Sequence, residues 1–206
     1  MPQPTNTPTS APLDSASDAW RLLRFNRKVL AQALSLVAAH DGPGRPALAG
    51  PVGAHLRHIV EHYEALLGAA ADRARVDYDR RPRDRAIERC PALARQRLTA
   101  LQQRLAGDLA LDTPLQVRGR GGLAGEFEFT VGSTLGRELA FVASHAVHHY
   151  ALLKTHCAER GIELPADFGK APATVAHERA AATAASKTPK PLRPKETSCT
   201  ALPLTA

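Results

Sequence analysis

Two short histidine clusters constrain this chain more than any other feature of its sequence. Six of its nine histidines lie within residues 53–62 (GAHLRHIVEH) and 144–150 (SHAVHHY). Both clusters sit in stretches with helical apolar periodicity, where residues three or four apart share a face. The spacing therefore predicts two helices, each with a row of imidazoles beside its buried stripe. The rows consist of His55, His58 and His62 on one helix and His145, His148 and His149 on the other.

Apolar periodicity predicts four helices in all, over residues 17–40, 52–71, 91–107 and 133–161. Ser133 or Thr134 is the expected N-cap of the last helix. Before it, alternating residues on both sides of a glycine-rich turn predict a β-hairpin over 115–131. The charged connection at 72–90 is long, which in a bundle indicates a crossover or a functional loop. The expected fold is all-α, an up-and-down four-helix bundle with a small hairpin before its last helix.

Composition and charge limit the other classes of protein to which this chain can belong. The 206 residues carry a net charge of +7 and 44% hydrophobic residues, which suits a folded domain. The ends are rich in Pro, Ala, Ser and Thr without periodicity, so we expect a disordered leader (1–14) and a disordered basic tail (180–206) around a domain at 15–179. Asp residues between the arginines of 79–85 indicate a solvated loop rather than a nucleic-acid site. Apolar runs are too short for a membrane span, and three scattered cysteines favour the cytoplasm.

Imidazole rows of this kind are typical of metal centres. Two rings four residues apart on one helix can bind adjacent positions on one ion, and a histidine from a second helix completes a three-ligand site with an open position. On the later helix, angular spacing favours His145 with His149 over His148. On the earlier helix it mildly favours His55 or His62. Three imidazoles suit Zn, Ni or Fe(II), so the identity of the divalent metal stays open.

These residues resemble the motifs of the DinB/YfiT-like family of four-helix-bundle metalloproteins. The resemblance rests on 53–59 (GAHLRHI) and 144–150 (SHAVHHY), and extends to 76–79 (VDYD) and 167–172 (DFGKAP). In that family, one histidine of the second helix and an HxxxH pair of the last helix bind a divalent metal. Carried over, the resemblance implies His58, His145 and His149 as ligands. On the second helix it therefore disagrees with the angular preference, and the choice among the three histidines of that row stays open.

The resemblance implies a bacterial, cytoplasmic protein that acts on a small molecule. Characterised relatives include thiol-S-transferases and a thiol-dependent isomerase, so a low-molecular-weight thiol is one candidate cosubstrate. A homodimer is implied as well, whereas specific nucleic-acid binding is not. Many relatives continue the last motif with Arg-Gly-Gln, where this chain has Tyr-Ala-Leu at 150–152. That departure limits the transfer of substrate chemistry.

The chemistry open to such a site is nucleophilic attack at neutral pH. A metal held by three neutral imidazoles lowers the pKa of a bound water to about 7 or holds a thiol as thiolate. A neighbouring base is also needed, and the candidates are Glu61, Glu138 and Tyr150, with Tyr63 as a further one. We therefore predict a metal-dependent transferase or hydrolase that acts on a small molecule.

Two other functions compete with this enzyme. One is a non-catalytic stress protein that binds a metal or a small ligand, which a closed site with a fourth protein ligand would favour. The other is a protease, because His58, Glu61 and His62 fit the HxxEH pattern of inverted zincins. The protease pattern leaves the second histidine cluster unexplained.

Overall fold

A computed structural model describes residues 15–72 and 75–187 of the chain. The helices are α1 (Ser15–Ala39), α2 (Gly50–Asp72), α3 (Pro91–Arg104), α4 (Leu135–Ala158) and α5 (Pro172–Lys187). The strands are β1 (Arg75–Asp77), β2 (Pro114–Gly121) and β3 (Phe127–Thr134). The four predicted helices and the predicted hairpin are confirmed. Strand β1 and helix α5 are additional to the elements that the sequence predicts.

Helices α1 and α2 lie across a diagonal of the bundle. Each of them packs against α3 and α4. The directions of α1 and α3 follow from two contacts: Gln102 donates to the carbonyl of Arg27, and Arg95 pairs with Asp41. Because the later residue of α3 meets the earlier residue of α1, these two helices are antiparallel.

Helices α2 and α3 run in the same direction. Arg57 near the start of α2 pairs with Glu88 just before α3, and Glu64, two turns further along α2, pairs with Arg97. A short turn cannot join parallel neighbours, so the connection after α2 must return along the bundle. The order is up-down-down-up, which replaces the up-and-down order expected from the sequence. Periodicity identifies helices, but it does not specify which of them are neighbours.

The predicted apolar stripes form the core of the bundle. Burying each large aliphatic side chain contributes about 1.5–3 kcal/mol. Trp20 departs from its predicted stripe and is 58% exposed. The stripes of α2 and α4 are buried throughout: Leu56, Ile59, Val60, Tyr63, Leu66 and Leu67 on α2, and Leu135, Leu139, Val142, Ala146 and Leu153 on α4.

The hairpin belongs to a three-stranded sheet in the order β1-β2-β3. Val117 on β2 lies opposite Val131 on antiparallel β3 and beside Val76 on parallel β1. Three residues carry too little alternation to reveal β1 from the sequence. Strand β3 leads directly into α4, whose N-cap is Thr134, since its hydroxyl accepts from the N–H of Arg137. The sheet is thereby joined to the start of α4.

The chain divides into two units after Ala171. The second unit contains α5, so residues 180–187 are helical where the composition predicts a disordered tail. Its many alanines explain the difference, because alanine has the highest helix propensity. The predicted leader (1–14) and the rest of the predicted tail (188–206) lie outside the described residues. Among the described residues, no helix combines the length and the apolar character needed to cross a membrane.

Helix α2 and the segment before α3 meet closely at Gly53. A β-carbon at this position would lie 2.3 Å from the carbonyl oxygen of Glu88 and 3.0 Å from its Cα. Those atoms belong to the backbone, which cannot turn aside as a flexible side chain can. Gly68 lies in the same helix but has open space around the place where a β-carbon would stand.

We expect Gly53→Ala to lower the free energy of unfolding by about 1–3 kcal/mol, the usual cost of overpacking. Gly68→Ala should raise it by up to about 1 kcal/mol, because alanine favours the helix and meets no obstacle. Urea denaturation of the two variants beside the unsubstituted protein measures both effects. Stabilisation by both substitutions would contradict the close backbone contact.

Candidate metal centre

The imidazole rows of α2 and α4 face each other across the contact between these helices. The helices are antiparallel, so the order of the rows is reversed: His55 meets His149, and His58 meets His145. The Nδ1 atoms of the first pair are 2.8 Å apart, and the Nε2 atoms of the second pair are 2.8 Å apart. The Nε2 atoms of His145 and His149 are 3.1 Å apart. These four rings therefore form one continuous group.

His62 joins the group from the next turn of α2. Its Nδ1 lies 2.7 Å from the carbonyl oxygen of His58, to which it donates a hydrogen bond. Its Nε2 then carries a lone pair and lies 2.7 Å from Nη1 of Arg81. The Arg81 side chain is only 10% exposed, although it belongs to the segment that the sequence predicts as a solvated loop. The histidine cluster therefore has a fixed positive charge at one edge.

Two overlapping sets of three imidazoles could hold a divalent ion. In one set, Nε2 of His145 lies between those of His58 and His149. In the other, the ligand atoms of His58, His62 and His145 all lie within 4.8 Å of one another. Two nitrogens on one tetrahedral zinc ion are roughly 3.3 Å apart, given Zn–N bonds of about 2.0–2.1 Å. The donor atoms therefore fit a metal with small shifts, and His58 and His145 belong to both sets.

The five imidazoles of this cluster are held neutral by their surroundings. Burial lowers the pKa of His58 to about 2, that of His62 to about 3 and that of His149 to about 4. Burial also lowers the pKa of His55 and of His145, and neighbouring imidazoles add to the effect in each case. Metals bind the neutral form of imidazole. The cluster therefore presents unprotonated ring nitrogens as donors at neutral pH.

Glu61 is buried beside the cluster, and its carboxylate is already occupied by other partners. It accepts a hydrogen bond from the backbone N–H of Asp84 at 2.7 Å and one from Nη1 of Arg57 at 3.3 Å, and it lies 3.8 Å from Nε of Arg81. These contacts anchor the crossover segment to α2. Both carboxylate oxygens are engaged by these groups, so the geometry does not support the role that the inverted-zincin pattern gives Glu61.

Glu138, at the start of α4, holds Tyr78 against the cluster. It accepts hydrogen bonds from the hydroxyls of Tyr78 at 2.9 Å and Ser133 at 2.6 Å, and from Arg137 at 3.2 Å. The ring of Tyr78 stacks on His62 with 5.3 Å between centroids. Burial, followed by the charge of Glu138, raises the pKa of Tyr78, so its hydroxyl remains a donor. In this structure Glu138 positions a ring beside the site.

Two tyrosines among the predicted bases are core residues. The hydroxyl of Tyr150 donates to the carbonyl of Val29 at 3.1 Å, and that of Tyr63 donates to Asn26 at 2.9 Å. Both acceptors belong to α1, and both tyrosines are fully buried. Burial also raises the pKa of both phenols. The structure thus directs these candidates towards α1 rather than into the cluster.

The other histidines lie apart from the donor atoms of the cluster. His148 is exposed and touches only the edge of the His149 ring, with 5.6 Å between centroids. The structure thus turns His149 inward and His148 outward, as the angular spacing predicts. His40 contacts the carbonyl of Pro46 through Nδ1, and His156 lies 3.4 Å from Glu159.

Sequence reasoning misses three side chains that touch the cluster. Tyr78 lies within the VDYD motif but draws no attention as a site residue. Phe141 stacks on His145 with 5.6 Å between centroids, and its position four residues earlier on α4 is a helical spacing that could have revealed it. Arg81 offers no such signal, because its contact with His62 depends on how the crossover folds back.

Comparison with known proteins gives one family and one partial match. A family model for the DinB superfamily matches residues 13–153. Over 104 residues, 50% of this chain, the sequence is 34% identical to part of FK506-binding protein 5 from Rhizopus delemar. The matched part makes up 27% of that protein, so the match transfers no activity. No solved structure gives a significant match.

The lowered pKa values predict that the metal-free protein loses stability in acid. The unfolded chain takes up protons below pH 6.5, whereas the folded imidazoles do so only near their lower pKa values. The free energy of unfolding is therefore highest above pH 6.5. It falls as the pH decreases towards about 4, the pKa of His149 in the folded protein. Each of the five imidazoles should contribute less than about 1.4 kcal/mol per pH unit, the value for one fully buried group, because the rings are partly exposed.

Thermal unfolding of chelator-treated protein between pH 7.5 and 5 measures this dependence. Replacing His58 and His62 together by Gln should make the unfolding midpoint less dependent on pH. A midpoint that stays constant over this range, or a variant as sensitive as the unsubstituted protein, would contradict the prediction.

Proposed function

The chain belongs to the DinB superfamily, and from this premise we propose that it is a metalloprotein whose divalent ion is held by His58, His145 and His149. We further propose that it acts as a transferase or hydrolase on a small molecule, with a low-molecular-weight thiol as the cosubstrate to test first. Zn, Ni and Fe(II) all suit such a set of imidazoles.

The observation that carries this proposal is the convergence of three Nε2 atoms at His145. That nitrogen lies 2.8 Å from Nε2 of His58 and 3.1 Å from Nε2 of His149. A neutral ring nitrogen carries either one hydrogen or one lone pair, so it cannot make a good hydrogen bond to both neighbours. One divalent cation satisfies three lone pairs at once, and this is why the arrangement suits a metal better than protons.

Electrostatics favour His149 over His62 as the third ligand. A cation bound at Nε2 of His62 would lie beside the guanidinium of Arg81, which is 2.7 Å from that nitrogen. Like charges at such a distance repel strongly in a partly buried site. On the other side of the cluster, Nδ1 of His149 faces Nδ1 of His55. A hydrogen bond behind a ligand is the usual way in which a metal-binding imidazole is oriented.

The chain's own residues have different roles at the site. When bound, the divalent ion supplies Lewis acidity towards a water or a thiol at neutral pH. The histidine cluster presents neutral donors, while Arg81 places a positive charge beside His62, where it would attract an anionic nucleophile or substrate group. Tyr78 and Phe141 cover the cluster with aromatic rings and limit the access of water.

The proposed ligand set is tested by metal analysis of protein purified without an affinity His-tag. The unsubstituted protein should contain about one Zn, Ni or Fe per chain, and both His58→Ala and His145→Ala should lose it. His148→Ala is the matched control, because this imidazole is exposed and should leave the metal content unchanged. Failure of the unsubstituted protein to take up metal, even after reconstitution, would refute the proposal.

Two further variants separate the alternatives that the geometry presents. If His149 is the third ligand, His149→Ala loses the metal and His62→Ala retains it. Loss in His62→Ala alone would identify the set of His58, His62 and His145 instead. Loss in both would indicate four protein ligands and a closed site, and would favour the non-catalytic metal-binding function.

The reaction class is tested with metal-loaded protein. We expect the loaded protein to accelerate one of two reactions by at least about tenfold over His58→Ala. One is the transfer of the sulfur of a low-molecular-weight thiol to an electrophile, and the other is the hydrolysis of a small ester or amide. Both reactions should be followed at pH 7.5 with and without chelator. A loaded protein that accelerates neither reaction would favour the non-catalytic function.

A further inference from the structure

A cavity of about 380 Å³ lies between the sheet and the start of α4, next to the histidine cluster. Its inner wall includes Tyr78 and Phe141, whose rings stack on His62 and His145. Only the ring of Phe141 therefore separates the cavity from the proposed ligand His145. Cavities of about 300–1,000 Å³ are typical sites for small molecules.

The sheet supplies an exposed apolar wall to this cavity. Phe129 is 40% exposed and Val131 is 51% exposed, and both belong to the lining. Phe129 lies over Gly119, where a β-carbon would come within 2.7 Å of the ring. This glycine lets the aromatic ring lie flat against the neighbouring strand. Contiguous exposed apolar surface beside a functional site typically contacts a ligand.

Three arginines line the same cavity, and the guanidinium of Arg137 lies over the Phe141 ring, with 5.6 Å between Cζ and the ring centroid. The cavity lining contains Arg118, Arg120 and Arg137 against two carboxylates, Asp79 and Glu138. The side chain of Arg137 is 64% exposed and reaches Glu138 through Nη1 at 3.2 Å. Glu138 also accepts hydrogen bonds from two hydroxyls, and of the five N–H groups of the Arg137 guanidinium those on Nη1 contact this carboxylate. Arg118 and Arg120 both pair with Glu128, so the guanidinium of Arg137 is the one in this lining most accessible to an anion.

We propose that this cavity binds the substrate as an amphipathic organic acid, with its aromatic or apolar body against Phe129 and Val131 and its carboxylate at Arg137. The identification of this ligand as the substrate rests on the proposed function of the metal centre. Arg137 and His145 are eight residues apart on α4, or roughly 12 Å at 1.5 Å per residue. Phe141 lies between these two positions and contacts both side chains, so an acid held at Arg137 lies one aromatic ring away from His145.

The apolar part of the proposal is tested with 2-naphthoate and the full-length chain, by calorimetric titration of both metal-free and zinc-loaded protein. Phe129→Ala should weaken binding by about 3- to 10-fold, the range expected for one aromatic contact. Phe127→Ala is the matched control. Phe127 lies on the same strand, is 57% exposed and covers Gly121 as Phe129 covers Gly119, but it is not part of the cavity lining. Equal weakening by both substitutions, or no binding at all, would overturn the proposal.

The carboxylate is tested with 2-naphthamide, which has the same rings without the charge. The unsubstituted protein should prefer naphthoate by about 5- to 10-fold, as expected for a charge-assisted hydrogen bond. Arg137→Gln should abolish this preference while leaving the affinity for naphthamide unchanged, and Arg104→Gln on α3 should keep the preference. Equal affinity of the unsubstituted protein for the two probes would overturn the assignment of an acid.

A last measurement separates failure of this proposal from failure of the metal site. Cobalt(II) bound at the cluster should enhance the relaxation of naphthoate protons. His58→Ala should remove that enhancement and retain naphthoate binding. Naphthoate binding in a protein that takes up no metal would refute the metal centre and leave the cavity as an acid-binding site. Binding of both cobalt(II) and naphthoate without enhanced relaxation would show that the cavity is not the substrate site.

Discussion

The structure depends on the packing of two half-buried imidazole rows against each other between α2 and α4. Polar nitrogens buried between helices destabilise a fold by about 1–3 kcal/mol each when they lack partners. Here antiparallel packing brings His55 to His149 and His58 to His145 at 2.8 Å. A rotation of either helix would separate these pairs and bury unpaired nitrogens. The rows therefore specify how α2 and α4 face each other, in addition to forming the site.

The connection after α2 is as important to the site as the helices are. Because α2 and α3 are parallel, this segment must return along the bundle, and on its way it passes the histidine cluster. It brings Tyr78 onto His62 and the guanidinium of Arg81 to the same imidazole. The carboxylate of Glu61 then holds it to α2 through the N–H of Asp84. The topology of the bundle thus supplies one wall of the site.

The sheet extends this arrangement outward. Strand β1 lies within the returning connection and pairs with β2, so the hairpin is attached to the segment that covers the cluster. At its other end, β3 runs into α4 through the capping residue Thr134. The exposed face of the hairpin is thereby held beside the start of α4. This placement creates a cavity with an apolar wall and an exposed guanidinium, next to the histidine cluster.

The sequence by itself determined the local structure: the four helices, the hairpin, the buried stripes and the two imidazole rows all follow from periodicities of one helix or strand. It also predicted that His149 rather than His148 faces the interior of the bundle, since angular position on a helix is a local property. It did not determine the parallel course of α2 and α3, strand β1 or the helical residues 180–187. Only the tertiary structure decided that Arg81 is buried against His62, that Glu61 forms ion pairs with arginines, and that Tyr150 packs towards α1. These outcomes depend on contacts between residues far apart in the chain, which no local pattern encodes.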